Sequence, residues 1–351
     1  MKVAMLLSGG VDSSLALALL KSQRCDLTAF YIKIWLEDEL SFLGQCPWEE
    51  DLGYARAVCA QLNVPLEIVS LQREYHERVV SYCLEELKSG RTPSPDLFCN
   101  QRIKFGAFYD RIEESFEKVA SGHYARIETA NGEILLKTSP DPVKDQTYFL
   151  SHLGKKQLER ILFPLGELRK SRVRELAAYY NLPNKDRKDS QGICFLGKIK
   201  YPDFVKHHLG EKKGILVDKQ SGKKMGDHSG YWYYTIGQRQ GLGLSGGPWY
   251  VVQKDIEKNI VYISRQYDKE TLARDTFTVS DFNWISGSRP DKENFRLKIR
   301  HGEKFYECRL HDQEKSAAQV FMNEKDSGIA PGQFAVFYDG DVCLGCARIV
   351  C

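Results

Sequence analysis

No apolar run in this 351-residue chain approaches the roughly 20 residues needed to cross a bilayer, so no membrane-spanning helix is expected. The opening residues pass directly into the strand-like run Val3 to Leu7, with no leader pattern, and we expect a cytoplasmic protein without a signal peptide. Regular cysteine spacing is also missing. The ten cysteines fall irregularly, several inside apolar patterns, which excludes a secreted disulfide framework and favours a reduced compartment. Bulk charge is small, a net +3, and by itself carries no indication of nucleic acid. Length exceeds what one core usually serves, so two or three domains are expected.

The distribution of charge is more informative than its sum. Residues 1–150 carry 16 Lys and Arg against 22 Asp and Glu, and residues 241–351 carry 15 against 16. Residues 151–240 carry 19 against 9, concentrated in Arg169-Lys170-Ser171-Arg172-Val173-Arg174, Lys185 to Lys188 and Lys212-Lys213. A local basic excess on a near-neutral chain is the footprint of a docked polyanion.

The motif with the clearest chemistry lies near the N-terminus. Ser8-Gly9-Gly10-Val11-Asp12-Ser13-Ser14 separates an apolar strand from a stretch of helix formers ending at Leu20. Strand, glycine turn and helix together aim backbone N–H groups at an anion, and the two glycines let phosphate oxygens approach closely. The Walker form GxxxxGK[ST] and its lysine are absent. The stretch instead resembles the SGGxDS pyrophosphate-binding loop of ATP pyrophosphatases, which split ATP into AMP and pyrophosphate. Asp12 suits the Mg²⁺ that accompanies the phosphates.

Further on, Leu27 to Ile34 and Val64 to Val69 read as strands, and 51–62 and 74–88 as helices. Strands alternating with helices at this pace imply an α/β, doubly wound, mostly parallel sheet with its ligand crevice at the strand C-termini. Pro93 and Pro95 make the following stretch a loop leading to a helix near Ile103, which puts Cys99 in a polar loop close to a helix start. There, Arg102 and Lys104 would favour its thiolate. Lys118 to Ser121 is a short strand ending in Gly122-His123-Tyr124, and 171–180 reads as a helix. Hairpins are expected about Gln220-Ser221-Gly222 and between 250–253 and 260–264. From about Thr276 onward, short period-two strands imply a small barrel. Cys343-Leu344-Gly345-Cys346 is a solitary CxxC. Its odd offset along a strand predicts thiols on opposite faces, and it reads as incidental.

Seven motifs occur in an order that identifies a family. They are Ser8–Ser13, Pro95-Asp96 with Cys99-Asn100, Gly122-His123, Lys144-Asp145-Gln146, Gly192-Ile193-Cys194-Phe195, Tyr234-Thr235-Ile236-Gly237-Gln238-Arg239 and Pro331-Gly332-Gln333. Together they resemble the tRNA-specific 2-thiouridylases over essentially the whole chain. The resemblance implies a Rossmann-like pyrophosphatase-loop domain at 1–200, a small central tRNA-contacting domain at 201–272 and a C-terminal β-barrel at 273–351. Three departures are Ser94, where asparagine is common, Gln191, where threonine is usual, and Cys343 to Cys346, which replaces a glycine-rich stretch.

The same resemblance implies the reaction: ATP-dependent 2-thiolation of the wobble uridine in tRNA. A base carbonyl oxygen leaves poorly. Adenylation turns it into AMP, and a persulfide on one cysteine, resolved by a second, delivers sulfur through thiol exchange. By family match Cys194 carries the persulfide, Cys99 is its partner nucleophile, and Asp96 acts on the base as acid or base. ATP contacts fall on Leu6, Leu7, Ser8, Gly9, Gly10, Val11, Asp12, Ser13, Ile32 and Gly122. Contacts to tRNA fall on Ser94, Pro95, Asp96, His123, Lys144, Asp145, Gln146, Arg300, His301 and Gln333. The base is expected to flip out of the anticodon stack. Implied partners are the tRNA anticodon region and a sulfur donor such as a cysteine desulfurase or relay protein; no membrane is involved. Competing readings are another pyrophosphatase-loop enzyme, either an amidating synthetase or a different tRNA thiolase. A further one is an iron–sulfur cluster held by Asp96, Cys99 and Cys194.

Overall fold

A computed structural model describes residues 1–34, 48–189, 201–265, 273–312 and 317–350. The first strand, β1 (Lys2–Leu6), is buried on both faces. Val3 and Met5, with Leu7 just beyond the strand, pack against helix α1 (Val11–Ser22), helix α2 (Trp48–Leu62) and a later helix at Lys170–Tyr179. Ala4 and Leu6 face the opposite layer. That layer contains α3, a continuous helix over 72–88 with a π-helical turn at His76–Val80, and α4, over 95–107. An apolar strand covered on both sides is what a parallel sheet requires.

With β2 (Asp26–Lys33), β3 (Leu66–Ser70), β4 (Lys118–Ala120) and β7 (Ile161–Leu162), β1 forms a sheet of order β3-β2-β1-β4-β7, parallel throughout. The chain runs outward from β1 to β3 and then returns to β4 on the other side of β1. Strand order therefore reverses between β1 and β4, and a crevice opens at their C-termini. The turns that emerge there are Ser8 to Gly10 and Ser121 to His123.

Between β4 and β7, the hairpin of β5 (Ala125–Ala130) and β6 (Glu133–Thr138) leaves this sheet. Asn131 and Gly132 both have positive φ, as a tight hairpin turn demands. The hairpin adds to the edge of a C-terminal sheet through β6 and β17 (Val342–Ile349). That sheet also holds β12 (Arg274–Trp284), β13 (Asn294–Lys298), β14 (Tyr306–Asp312), β15 (Ala318–Asp326) and β16 (Phe334–Asp339). Its order β12-β15-β14-β13-β16-β17 closes by pairing β12 with β17 into a six-stranded barrel. A smaller central sheet, ordered β10-β11-β8-β9, comprises β8 (Gly214–Asp218), β9 (Lys224–His228), β10 (Tyr250–Asp255) and β11 (Ile260–Ser264).

The barrel is docked on the α/β domain through β16, buried on both faces. Ala335 and Phe337 fill the barrel core, while Phe334, Val336 and Tyr338 belong to the core shared with α3 and α4. Cys343 and Cys346 correct the expectation of opposite faces. A bulge in β17 pairs Phe337 with Gly345 but Tyr338 with Cys343, so Leu344 is an extra residue and both thiols enter the same shared core.

Helix α4 is a second correction. It starts at Pro95, well before Ile103, because proline at the first helical position lacks only an N–H that would be unpaired anyway. Cys99 therefore lies at the junction of an α-helical turn and a π-helical segment, and it is buried among apolar side chains.

Candidate active site

Beyond the buried Leu6 and Leu7, the loop is closed on itself by hydroxyls. Ser8 and Ser13 Oγ are 3.1 Å apart, the Ser8 N–H donates to Ser13 Oγ, and Ser13 Oγ donates to the Gly10 carbonyl. Gly10 precedes α1 with no side-chain cap, which leaves the first N–H groups of the helix without a side-chain acceptor, as a helix N-terminus able to accept an anion requires. Two glycines make this geometry accessible. Gly9 has φ +76°, and a Cβ there would sit 2.2 Å from the Asp51 carbonyl oxygen. A Cβ on Gly122 would sit 2.7 Å from the Ser13 nitrogen. Ile32, near the end of β2, lies partly buried on the α3–α4 side of the sheet.

The crevice is walled by charged groups, among them Lys170, Arg174, Arg187 and Asp189, to which the sequence assigns no place at the loop. Lys170 Nζ donates to Asp12 Oδ1 at 2.6 Å and pairs with Asp189 at 2.8 Å, and the Tyr124 hydroxyl donates to the same Asp12 oxygen at 2.7 Å. Lys144 and Arg174 also bind Asp189. Burial pushes the Asp189 carboxyl up, but the hydrogen bonds from Lys144 and Lys170 outweigh it and hold the group well below the usual carboxylate range. Asn184 donates to the Gly9 carbonyl and to Ser14 Oγ; Arg187 donates to the Gly9 carbonyl and to Asp51. Sequence did offer a signal, since Lys170, Arg174 and Arg187 belong to the basic runs. As sequence they read as a polyanion-docking face, whereas Lys170 and Arg187 turn inward onto the loop and Arg174 onto the segment 185–189.

The second group of residues surrounds α4. Ser94 precedes the helix, its N–H donating to the Tyr82 hydroxyl, and Asp96 and Cys99 follow three residues apart on one side of the helix. Arg102 stacks on the Phe98 ring, 3.8 Å from its centroid. The barrel holds the proline loop from the other side: Gln333 Nε2 donates to the carbonyls of Thr92 and Pro93, and the Thr92 N–H donates to the Pro331 carbonyl. His301 stacks on Phe149 at 4.7 Å and donates from Nε2 to the Asp145 carbonyl. Burial lowers its pKa, opposed by that hydrogen bond and by the nearby carboxylates of Asp145 and Asp96. Arg300 is half-exposed and makes a two-pronged pair with Asp326. Arg300, Gln333, Thr92 and Thr235 to Gly237 line one groove of about 390 Å³. Parts of two separated motifs thus meet in one place, beside Thr92 of the proline loop.

Lys144-Asp145-Gln146 connects the two groups. Lys144 reaches the crevice, Gln146 Oε1 accepts from the Tyr124 N–H, and Asp145 turns inward to Lys298 of the barrel. Asp145 and His123 are buried beneath the surface. His123 Nδ1 pairs with Ser121 Oγ at 2.7 Å, and burial holds the ring well below its ordinary pKa. Cys194 lies outside the described residues. Among the described residues no three His, Cys, Asp or Glu side chains gather to hold a metal ion, and no helix is long and apolar enough to cross a membrane.

The fold and this crevice define a parallel α/β domain with a glycine turn between its first strand and helix, carrying a small central domain and a docked barrel. Family models describe the same three parts. A "tRNA methyl transferase HUP domain" matches residues 1–198, a "tRNA methyl transferase PRC-barrel domain" 202–265 and an "Aminomethyltransferase beta-barrel domain" 274–349. The chain is 46% identical to the tRNA-specific 2-thiouridylase MnmA of Parabacteroides distasonis, over 100% of this chain and 99% of that one. It is 46% identical to MnmA 2 of Bacteroides fragilis, over 99% and 100%, and 45% identical to MnmA of Porphyromonas gingivalis, over 99% of each. The chain belongs to the family of tRNA-specific 2-thiouridylases.

Proposed function

We propose that this protein replaces the 2-oxygen of the wobble uridine in tRNA with sulfur, using ATP. The observation that carries the reading is the linkage of two sites within one fold. A glycine turn leading into a helix start stands at the β1–β4 switch point, and the segment that carries Asp96 and Cys99 meets the barrel, with Asp96 near His301 and the preceding Pro93 carbonyl held by Gln333. The Lys144-Asp145-Gln146 segment ties the two together. Full-length relatives named for this activity support it.

In the proposed sequence the uridine O2 attacks the α-phosphorus of ATP and pyrophosphate leaves. The α1 N-terminus and the loop N–H groups hold the departing phosphates. Asp12 would hold the Mg²⁺ that accompanies the nucleotide, which would supply neutralisation of the phosphate charge. Cys99 then attacks the Cys194 persulfide, a Cys99–Cys194 disulfide forms, and sulfide is released. Sulfide adds to C2 and AMP departs with the oxygen. A thiol reductant restores both cysteines. Asp96 handles the proton at the flipped base, which Ser94 and Pro95 border. Arg300, His301, Gln333 and Lys144 contact the anticodon region, and His123, Asp145 and Gln146 set the surface from beneath. A cysteine desulfurase or relay protein loads Cys194, in the cytoplasm.

Mass spectrometry of tRNA nucleosides after incubation with ATP, Mg²⁺, cysteine and a cysteine desulfurase tests the proposal. We expect 2-thiouridine that depends on ATP and disappears in Cys99→Ser and Cys194→Ser. Thiolation that survives either substitution would sink the cysteine assignment, and no 2-thiouridine from the parent protein would sink the reading itself.

A further inference from the structure

The anion-binding loop lacks the lysine that a Walker loop carries, yet a lysine reaches it from a later helix packed in the same layer as α1. Lys170 lies at the first position of the helix Lys170–Tyr179, where the Asp141 carboxylate accepts its backbone N–H at 2.9 Å. The side chain is 14% exposed, and its ammonium sits between Asp12 of the loop and Asp189, with the Tyr124 ring alongside at 5.9 Å. The other cations of the crevice are fixed differently. Arg174 donates to the carbonyls of Lys185 and Arg187, and Arg187 to the carbonyl of Gly9, so both brace backbone as well as charge. Lys144 reaches only as far as Asp189 in its ion pairing. Lys170 alone among these four pairs with a side chain of the loop.

This arrangement has a consequence for a polyphosphate. Asp12 and Asp189 place two carboxylates at the mouth of an anion site, and an incoming triphosphate would be repelled unless cations on hand can be shared. A lysine ammonium on a flexible stem can exchange one oxygen partner for another with little rearrangement, whereas an arginine bound to backbone carbonyls cannot. Asp12 keeps its hydrogen bond from Tyr124 when the ammonium moves away.

We propose that Lys170 is the phosphate-binding cation this loop lacks: on nucleotide binding its ammonium leaves Asp12 for the β- and γ-phosphate oxygens, which releases Asp12 to face the accompanying cation. The inference rests on the ATP reading and names a residue that contacts the leaving group. Lys170 holds the pyrophosphate as it departs, and the Asp12–Lys170 pair is the resting arrangement to which the site returns.

Calorimetric titration of the whole protein with Mg-pyrophosphate, and separately with AMP, tests this. AMP occupies the nucleoside end and lacks the groups Lys170 would hold. Loss of one charge-assisted contact predicts pyrophosphate binding about 10- to 100-fold weaker in Lys170→Gln, with AMP affinity unchanged and substantial rescue in Lys170→Arg. Equal weakening for AMP and pyrophosphate would assign Lys170 to support of the fold and overturn the inference, as would unchanged pyrophosphate binding. A parent protein that binds neither Mg-ATP nor pyrophosphate would overturn the ATP reading and this inference with it.

Discussion

Lys298 of the barrel and Asp145 of the α/β domain form an ion pair at 2.9 Å with solvent excluded from both, the side chains being 1% and 2% exposed. The Asp145 carboxylate also accepts from the Thr147 hydroxyl and the Ser139 N–H, and the Lys298 ammonium lies 4.4 Å from the centre of the Phe305 ring. The pair sits under the groove, next to the carbonyl that His301 holds. Buried charges of this kind add little net stability over apolar replacements, but they fix register because either charge alone is intolerable.

Removal of one partner is therefore expected to be severe. Lys298→Met should destabilise the protein by about 3–5 kcal/mol, and adding Asp145→Asn should recover part of that loss because no buried charge remains. Urea unfolding of the single and double variants measures both. A Lys298→Met protein as stable as its parent would show that the carboxylate finds another route to neutrality.

The contact between Gln333 and the proline loop makes a separate prediction. Gly332 has φ +91°, and a Cβ there would meet the Thr92 carbonyl oxygen at 2.7 Å, so Gly332→Ala must push the loop that precedes Asp96. Displacement of reacting groups by about 1 Å costs on the order of 100-fold in rate. We expect thiolation kcat/KM to fall by about that factor while Mg-ATP affinity is unchanged, since the crevice lies elsewhere. Nucleoside mass spectrometry and calorimetry read the two quantities. A parallel fall in ATP affinity would mean that the barrel contact supports both ends of the site.

Much of this arrangement was legible before the structure. Val3 to Leu7 read as an apolar strand, its place in a parallel sheet followed from strands alternating with helices, and Ser8 to Ser14 read as an anion loop because the glycines and the helix start are contiguous. Residues brought in from far away were not legible. Lys170 and Arg187 looked like surface charge, since nothing local distinguishes a lysine that turns inward from one that does not. The β5–β6 hairpin carried a signal in Asn131-Gly132 that went unread. Proline spacing misplaced the start of α4, because Pro95 suits a first turn as well as a loop. The bulge at Leu344 cannot be inferred from a strand pattern that assumes strict alternation.

Gly122 faces the loop so closely that a methyl group has no room. In Gly122→Ala the new Cβ would meet backbone atoms of Asp12 and Ser13 at 2.7–2.9 Å, and backbone cannot swing aside as a flexible side chain can. We expect a stability loss of about 1–3 kcal/mol from overpacking. We also expect Mg-ATP affinity about 10-fold lower or worse, because the displaced N–H groups are the ones proposed to face phosphate. Parent-like calorimetric titration curves would mean that the nucleotide does not approach this strand end.

His152 supplies a prediction in pH. Its ring packs between Phe98 and Phe334, with centroids at 5.1 and 5.8 Å, and burial, reinforced by the Arg102 charge, lowers its pKa from 6.5 to about 4. The unfolded chain therefore takes up this proton before the folded one does. Between pH 6.5 and about 4 the unfolded state binds more protons, so the contribution is intact above pH 6.5 and is lost as pH falls through that window. At pH 5 the loss amounts to roughly 2 kcal/mol relative to pH 7. Buried His123 and His301 act in the same direction, so the useful quantity is the difference between parent and variant. His152→Leu keeps a similar volume and removes the titrating group. Its unfolding free energy should change by about 2 kcal/mol less between pH 7 and pH 5 than that of the parent. Denaturant unfolding at the two pH values measures this, and identical pH dependence in the two proteins would show that the His152 ring is protonated inside the folded core.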